Sequence, residues 1–298
     1  MSTVVATPEA PRSEARAARS ERIRLLARSP LVIAGAIVVA FWVFCALFPG
    51  VVCPYNPIFD NNFPPNEHPS WAHPFGTDTN GRDILSRVLA GSRAILQISV
   101  LATLIGTVLG TSLGLLTGYL RGVVDDVTSR FIDAILSLPL IITAIFVVTA
   151  VGNSGRWVVT LIIGLIFTPV IARTVRAGVL AEAELDYVQA AKLRGERRQY
   201  IMFSEILPNV LTTVIVMLPL MIATTILTES ALSFLSIGVQ PPKASWGTII
   251  DDGQDLLYSR PWVAIAPGIM IVLTVLALNV FGDGLRDALD PRSKVRMK

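Results

Sequence analysis

Ala94-Ile-Leu-Gln-Ile-Ser-Val-Leu-Ala-Thr-Leu-Ile-Gly-Thr-Val-Leu-Gly-Thr-Ser-Leu-Gly-Leu-Leu-Thr-Gly-Tyr-Leu120 runs its whole length without a charged side chain. A run of roughly 17 to 25 such residues crosses a hydrocarbon layer of about 30 Å as a helix. Hydrocarbon offers no partner to backbone N–H and C=O groups, so the chain must satisfy them within the segment. A barrel strand would show polar residues at every second position, which this run does not. Five further runs read the same way, at 31–48, 134–151, 157–172, 206–228 and 261–282. The expectation is an all-α integral membrane protein of six spans. Only 157–172 is short, and it is expected to reach the interface through Arg173, whose long side chain can snorkel.

Composition agrees. Apolar residues make up 52% of the 298, charged residues 16%, and the mean hydropathy is +0.61, whereas a soluble domain is about a quarter charged. Within 94–120, Ala102, Gly106, Gly110, Gly114 and Gly118 recur every fourth position on one helical face. Small residues at that period let two helices pack backbone to backbone; the stripe reads either as static packing or as a smooth face for sliding. Pro139, Pro169, Pro219 and Pro267 fall inside other spans and are expected to kink them.

Charge sets an orientation. With the N-terminus inside, one side holds Arg12, Arg16, Arg19, Arg22, Arg24 and Arg28, then Arg121 and Arg130, the cations from Arg173 to Arg198, and those from Arg286 to Lys298. The other side holds only Arg82, Arg87, Arg93, Arg156, Lys243 and Arg260. Because basic residues are retained on the cytoplasmic face, both termini and loop 176–208 are expected there, with outer loops at 50–93 and 236–261. Residues 1–29 have no apolar core and read as a mobile cytoplasmic tail, with Ile23, Leu25 and Leu26 on the membrane surface. The apolar run that follows is long enough to span and lacks a small-residue cleavage site, so it does not read as a signal peptide. The net charge of +3 is accounted for by membrane-facing arginines and implies no nucleic acid.

Cys45 and Cys53 lack a CxxC pattern and read as free thiols. His68 and His73 have no acidic or thiolate partner at ligand spacing and read as surface residues, so no metal site is expected. Ile84, Leu85, Val88 and Leu89 repeat at helical spacing, which predicts a short amphipathic helix on the outer membrane face, with Asp83 near its start. Two carboxylates fall within or beside the apolar runs, Asp133 and Glu229. An intramembrane carboxylate is a functional candidate by default, so Glu229 is a candidate for the translocation path or its outer gate, with capping or helix packing as the alternative.

The polar stretch Tyr187-Val-Gln-Ala-Ala-Lys-Leu-Arg-Gly-Glu-Arg-Arg-Gln-Tyr-Ile-Met-Phe-Ser-Glu-Ile-Leu-Pro-Asn209 separates two apolar runs. Ala190 and Ala191 permit close approach, Gly195 can end one helix and turn the chain, and Pro208 can start the next. From the small residues alone an ordinary polar loop is the alternative. The spacing from Gly195 to Leu207 and Pro208 resembles the coupling loop of ATP-binding cassette importer permeases. Pro54-Tyr55-Asn56-Pro57, Gly76-Thr77-Asp78, Gly81-Arg82-Asp83, Asp125-Asp126 with Asp133, Thr228-Glu229-Ser-Ala-Leu-Ser-Phe-Leu235, Gly238-Val-Gln-Pro-Pro242 and Trp246-Gly247 follow in order. Together they resemble the C-type permease of dipeptide and oligopeptide importers. Two positions depart from the pattern: Gln189 stands where the coupling motif opens with Glu, so no salt bridge is implied there, and Glu205 stands where the motif is apolar.

The resemblance implies a six-helix permease domain over 30–285 with cytoplasmic coupling helices, a cytoplasmic tail at 286–298, and a bacterial plasma-membrane location. It implies that Gln189, Ala190, Ala191, Gly195, Leu207 and Pro208 meet a separate ATPase, and that nucleotide closure rocks the spans between two states. ATP and Mg would be held by two partner ATPase domains. No phosphate loop is present, so the chain is expected to be non-catalytic and to carry no cofactor. Further implied partners are a B-type permease and an extracytoplasmic substrate-binding protein, although the residues alone leave a homodimer open. Cargo stays open between peptides and nickel or another small solute. Lys192, Arg194, Glu196, Arg197 and Arg198 surround the turn and could pair with the ATPase or simply hold the loop near anionic lipid. An ion-coupled secondary transporter would need midplane carboxylates or related halves, and an intramembrane enzyme a nucleophile, base or metal constellation; neither pattern is present.

Overall fold

The computed structural model describes residues 29–59, 63–152 and 155–289. The N-terminal tail expected to be mobile, with Ile23, Leu25 and Leu26 on the membrane surface, and the residues beyond 289 lie outside them. Among the described residues the regular structure is helical, with one isolated bridge between Thr77 and Asp83. The major helices are α1 (Pro30–Leu47), α2 (Ile84–Leu120), α3 (Val123–Leu136), α4 (Leu140–Val151), α5 (Arg156–Glu182), α6 (Asp186–Leu193), α7 (Leu207–Phe234), α8 (Trp246–Gly253) and α9 (Trp262–Leu289). Five helical segments are long and apolar enough to cross a membrane, or six if α3 and α4 count as one broken span.

Four expectations are corrected. Residues 134–151 do not form one helix, because α3 and α4 meet at 94°. Pro139 has no N–H to continue the ladder and disfavours helical geometry at Leu138, so it caps α4 instead of kinking it. The short span 157–172 is part of a 27-residue helix that runs to Glu182, so Arg173 is no terminal anchor and lies 3.7 Å from Asp133. The expected surface helix at 84–89 is the first turns of α2, with Ile84 and Val88 buried in protein; Asp83 is its N-cap, accepting from the Ser86 N–H at 2.8 Å. The last helix continues through Leu289, past the expected end of its span at 282.

The bundle is organised around the pairing of α2 with α5, its most extensive helix contact. Gly106, Gly110, Gly114 and Gly118 all lie against α5. A Cβ on Gly110 would sit 2.8 Å from the Thr168 carbonyl oxygen, and one on Gly114 2.5 Å from that of Ala172. Gly164 answers from α5, where a Cβ would come 3.0 Å from the Ala102 oxygen. Lipid tails are as apolar as Leu, so close van der Waals fit takes over the role that the hydrophobic effect plays in water. The Thr103 and Thr225 hydroxyls, 3.3 Å apart, join α2 to α7. α1 lies across α9, with Gly35 against Ala277, and turns Trp42 and Cys45 inward while Leu31, Ile37, Phe44 and Leu47 face out. Cys45 and Cys53 are both free.

Gly114→Leu forces carbon atoms into the α5 backbone and is expected to cost about 1–3 kcal/mol or more, seen as a lower thermal midpoint of the detergent-solubilised protein. A Cβ on Gly268 in α9 meets nothing within 4 Å, so Gly268→Ala should leave the midpoint unchanged or raise it.

Candidate functional site

At one end of the bundle, α5, α6 and the start of α7 form an elbow. Chain direction reverses at Gly195, whose φ is +77°, a conformation that costs other residues about 1–2 kcal/mol. Glu196 N–H reaches the Ala191 carbonyl at 3.2 Å and Gly195 N–H that of Lys192 at 3.0 Å; this paired closure satisfies the last carbonyls of α6. A short turn at Arg198–Tyr200 then leads into a wide turn at Ile201–Ile206, in which Leu207 N–H bonds back to Met202. Pro208 explains that widening, since it has no N–H to offer Ser204 four residues earlier. The chain from Arg198 onward is therefore one continuous helical rod, with Pro208 in the first turn of α7.

Tyr187 ties the elbow together. Its hydroxyl donates to the Glu182 carboxylate at the end of α5 and accepts from Asn209 Nδ2 at 2.9 Å. Partial burial, then the Glu182 carboxylate, push its pKa up to about 12, so it stays protonated and keeps both bonds. At the neighbouring corner Arg121, just past α2, pairs with Glu184 and holds that carboxyl below its ordinary range. Asp125 of α3 accepts from Arg176 Nη2 at 2.7 Å, so the elbow is braced from three helices.

The proposed contact residues divide. Ala190 and Pro208 are exposed and Leu207 half-buried. Ala191, read from sequence as a surface for a partner, is 0% exposed and packs with Val188, Ile201, Met202 and Ile206; its small size lets the elbow close on itself. Gln189 turns inward, donating from Nε2 to the Ala183 carbonyl at 2.9 Å. The outward face instead carries Leu193, 89% exposed, with Tyr200 and Phe203. Those large apolar side chains have no sequence motif to single them out; their exposure beside a tight turn is the signal.

At the opposite end, a charged cluster fastens the loop before α2 to α8. Asp78 accepts from Arg82 Nε at 2.8 Å and lies 3.3 Å from Arg87 Nε, while Arg87 Nη2 reaches Asp252 at 3.0 Å. Arg87 is buried, and burial pushes the Asp252 carboxyl up against the opposing pull of Arg87 and Arg82. His73, expected at the surface, is buried with Nδ1 3.0 Å from Asp83. Folding supplies the acidic partner that its sequence neighbours lack. Ser245 and Thr248 cap α8 reciprocally, and the fully buried Trp246 donates to the Val88 carbonyl at 2.9 Å while its ring meets Trp42 edge-on.

Glu229 sits beneath α8. It is 0% exposed, accepts from Ser233 Oγ at 2.7 Å, and its second oxygen has no hydrogen-bond partner among the described residues. Gly247 allows the approach, since a Cβ there would lie 2.2 Å from the Ser230 oxygen. Glu229 does not line the main cavity between the spans. That cavity, about 670 Å3, opens between α5, α7 and α9 and is lined by Thr174, Thr212, Thr213, Asn279, Asp283 and Arg286 among others. Among the described residues no group of His, Cys, Asp or Glu is placed to hold a metal.

Tyr187→Phe removes the shared hydroxyl and is expected to cost about 1 kcal/mol, with faster proteolysis at the elbow as the readout. Asp78→Asn leaves Arg82 and Arg87 under-neutralised; a loss of about 3–5 kcal/mol is expected, measured as a fall in thermal midpoint larger than that of Tyr187→Phe.

Residues 110–295 match the family of binding-protein-dependent transport system inner membrane components. The Dipeptide transport system permease protein DppC of Escherichia coli K12 is 41% identical over 274 residues, covering 90% of this chain and 91% of the relative. The protein of the same name from Alkalihalophilus pseudofirmus is 36% identical, covering 92% and 90%. The Glutathione transport system permease protein GsiD of Pectobacterium atrosepticum is 38% identical, covering 91% and 90%.

Proposed function

The chain belongs to the binding-protein-dependent transport system inner membrane components, and from that membership we propose that it is the C-type permease of an ATP-driven importer of dipeptides and oligopeptides. One observation carries the coupling part of this reading: a braced elbow that offers exposed Leu193, Tyr200 and Phe203 around a left-handed turn at Gly195. An exposed apolar cluster rimmed by charge is the form of a protein interface, and two helical rods rooted in the bundle lead away from it. The elbow, with Ala190, Gly195, Leu207 and Pro208 at its surface or pivot, takes the push of a separate cytoplasmic ATPase. Gln189 and Ala191 serve from within, by fixing its shape.

In this reading ATP and Mg reside on two ATPase domains and the chain itself performs no chemistry. Closure of those domains displaces α6, and the rods pass the motion to α5 and α7 as a rigid-body shift. The glycine seam couples α5 to α2, so the half moves together. The cavity between α5, α7 and α9, whose lining mixes apolar and polar side chains, gives one wall of the route, and a B-type permease supplies the other. Both termini lie in the cytoplasm; the α8 end faces outward, where a substrate-binding protein delivers cargo. The names of the relatives favour peptides over nickel. Glu229, sealed under α8, acts in this scheme by holding the outer mouth in shape.

Gly195 separates this reading from a passive loop. A Cβ at 195 meets nothing within 4 Å, so only backbone conformation is tested. Gly195→Val should cut ATP-dependent dipeptide uptake by about tenfold, from a cost of roughly 1–2 kcal/mol at the turn, while Gly195→Asn, which tolerates positive φ, keeps most of it. Equal uptake by both at equal membrane abundance would remove the elbow from coupling.

A further inference from the structure

Behind the elbow lies a second cavity of about 420 Å3, enclosed by the end of α2, the end of α5 and the start of the helical rod, and lined by Tyr119, Arg121, Lys192, Glu196 and Arg198 among others. Its charges do not cancel. Arg121 is taken by Glu184, and Glu196 lies 3.8 Å from Arg194. Lys192 makes only a 3.5 Å approach to the Ala183 carbonyl, and Arg198 has no carboxylate among the described residues. Three cations, Arg121, Lys192 and Arg198, thus line the recess against one lining carboxylate, Glu196, with Glu184 held at its edge by Arg121, so positive charge is in excess directly beside the exposed Leu193. Gln189, one turn before Leu193, is neutral and already spent on the Ala183 carbonyl, so it adds no negative charge beside the recess.

We infer that this cavity is the seat for a carboxylate side chain of the ATPase, so that docking is held by cations of the permease around an apolar anchor at Leu193. The inference rests on the coupling reading above and adds the chemistry of the contact. Charge complementarity selects the occupant: an Asp or Glu entering the recess would meet Lys192 and Arg198, and a docked partner would cover these exposed cations, so that the ion pairs are screened less than at open surface. Register follows too, because a charge placed at the mouth of the recess lets the apolar anchor seat in one position only.

The test uses the assembled transporter in nanodiscs of phosphatidylcholine, which supply no anionic headgroup. Lys192→Glu combined with Arg198→Glu should lower the ATPase retained per permease by about tenfold or more, and wild-type retention should fall as salt rises from about 0.1 to 0.5 M while that of the reversed variant does not. Gln189→Glu should weaken retention in the same direction. Both cations are exposed, and an unchanged thermal midpoint confirms that the variants fold. Retention of the reversed variant within about twofold of wild type overturns the inference, as does a retention defect that appears only when anionic lipid is present. Leu193→Asp separates the two readings. If it releases the ATPase while charge reversal does not, the charge assignment alone falls; if the ATPase stays fully bound to Leu193→Asp, elbow docking itself fails.

Discussion

Close backbone contact between α2 and α5 is the constraint from which the rest of the architecture follows. Four glycines of α2 lie on α5 so tightly that a single added carbon at Gly114 would stand 2.5 Å from a carbonyl oxygen. In lipid no solvent-driven burial holds helices together, so the attraction is the summed dispersion of atoms in contact, and it vanishes quickly with separation. That seam fixes the height of α5 against α2, and hence the position of everything that α5 carries beyond the bundle. Arg121 with Glu184 and Asp125 with Arg176 continue the same alignment in polar form. The elbow is thereby set on a rigid pair of helices.

The two ends of the bundle are built by different means. At the α8 end, charges are buried and shared: Asp78, Arg82, Arg87 and Asp252 form one cluster, and Trp246 seals it from the apolar side. Buried ion pairs contribute little net stability, but removing one partner is costly, so such a cluster specifies one arrangement of loop, α2 and α8. At the α6 end the charges are mostly exposed and the shape is set by backbone closure at Gly195 and by Tyr187. In the function proposed above, the α6 end would receive a moving partner, which exposed, uncommitted side chains suit; the α8 end would keep a mouth in shape, which satisfied ones suit.

Much of this was readable in residues 94–120 and 187–209. Uncharged length implies a spanning helix whatever it packs against, and the four-residue glycine period implies a close helix neighbour without saying which one. Asp83 as a cap and Gly195 as a left-handed turn are local properties of the backbone, so they needed no knowledge of the fold, whereas Pro208, read as a helix start, lies inside a helical rod that begins at Arg198. Pro139 was read as a kink, but the helix breaks there, because a proline says where the ladder is interrupted and not how far the halves swing. His73 and Ala191 were misread for a shared reason. One acquired a buried carboxylate ten residues away and the other a wall of apolar side chains, and exposure is a property of the surroundings.

The sequence by itself determined that this chain crosses a membrane as helices, since uncharged length and the cost of unsatisfied backbone in hydrocarbon leave no alternative, and its motifs carried the family resemblance. Tertiary structure alone decided which side chains meet. Arg87 and Asp252 are 165 positions apart, the glycine row found its partner on a helix that its own spacing cannot name, and Lys192 and Arg198 became a recess only because α2 and α5 end beside them. Electrostatic and van der Waals energies depend on distance in space, and that distance exists only once the chain has folded.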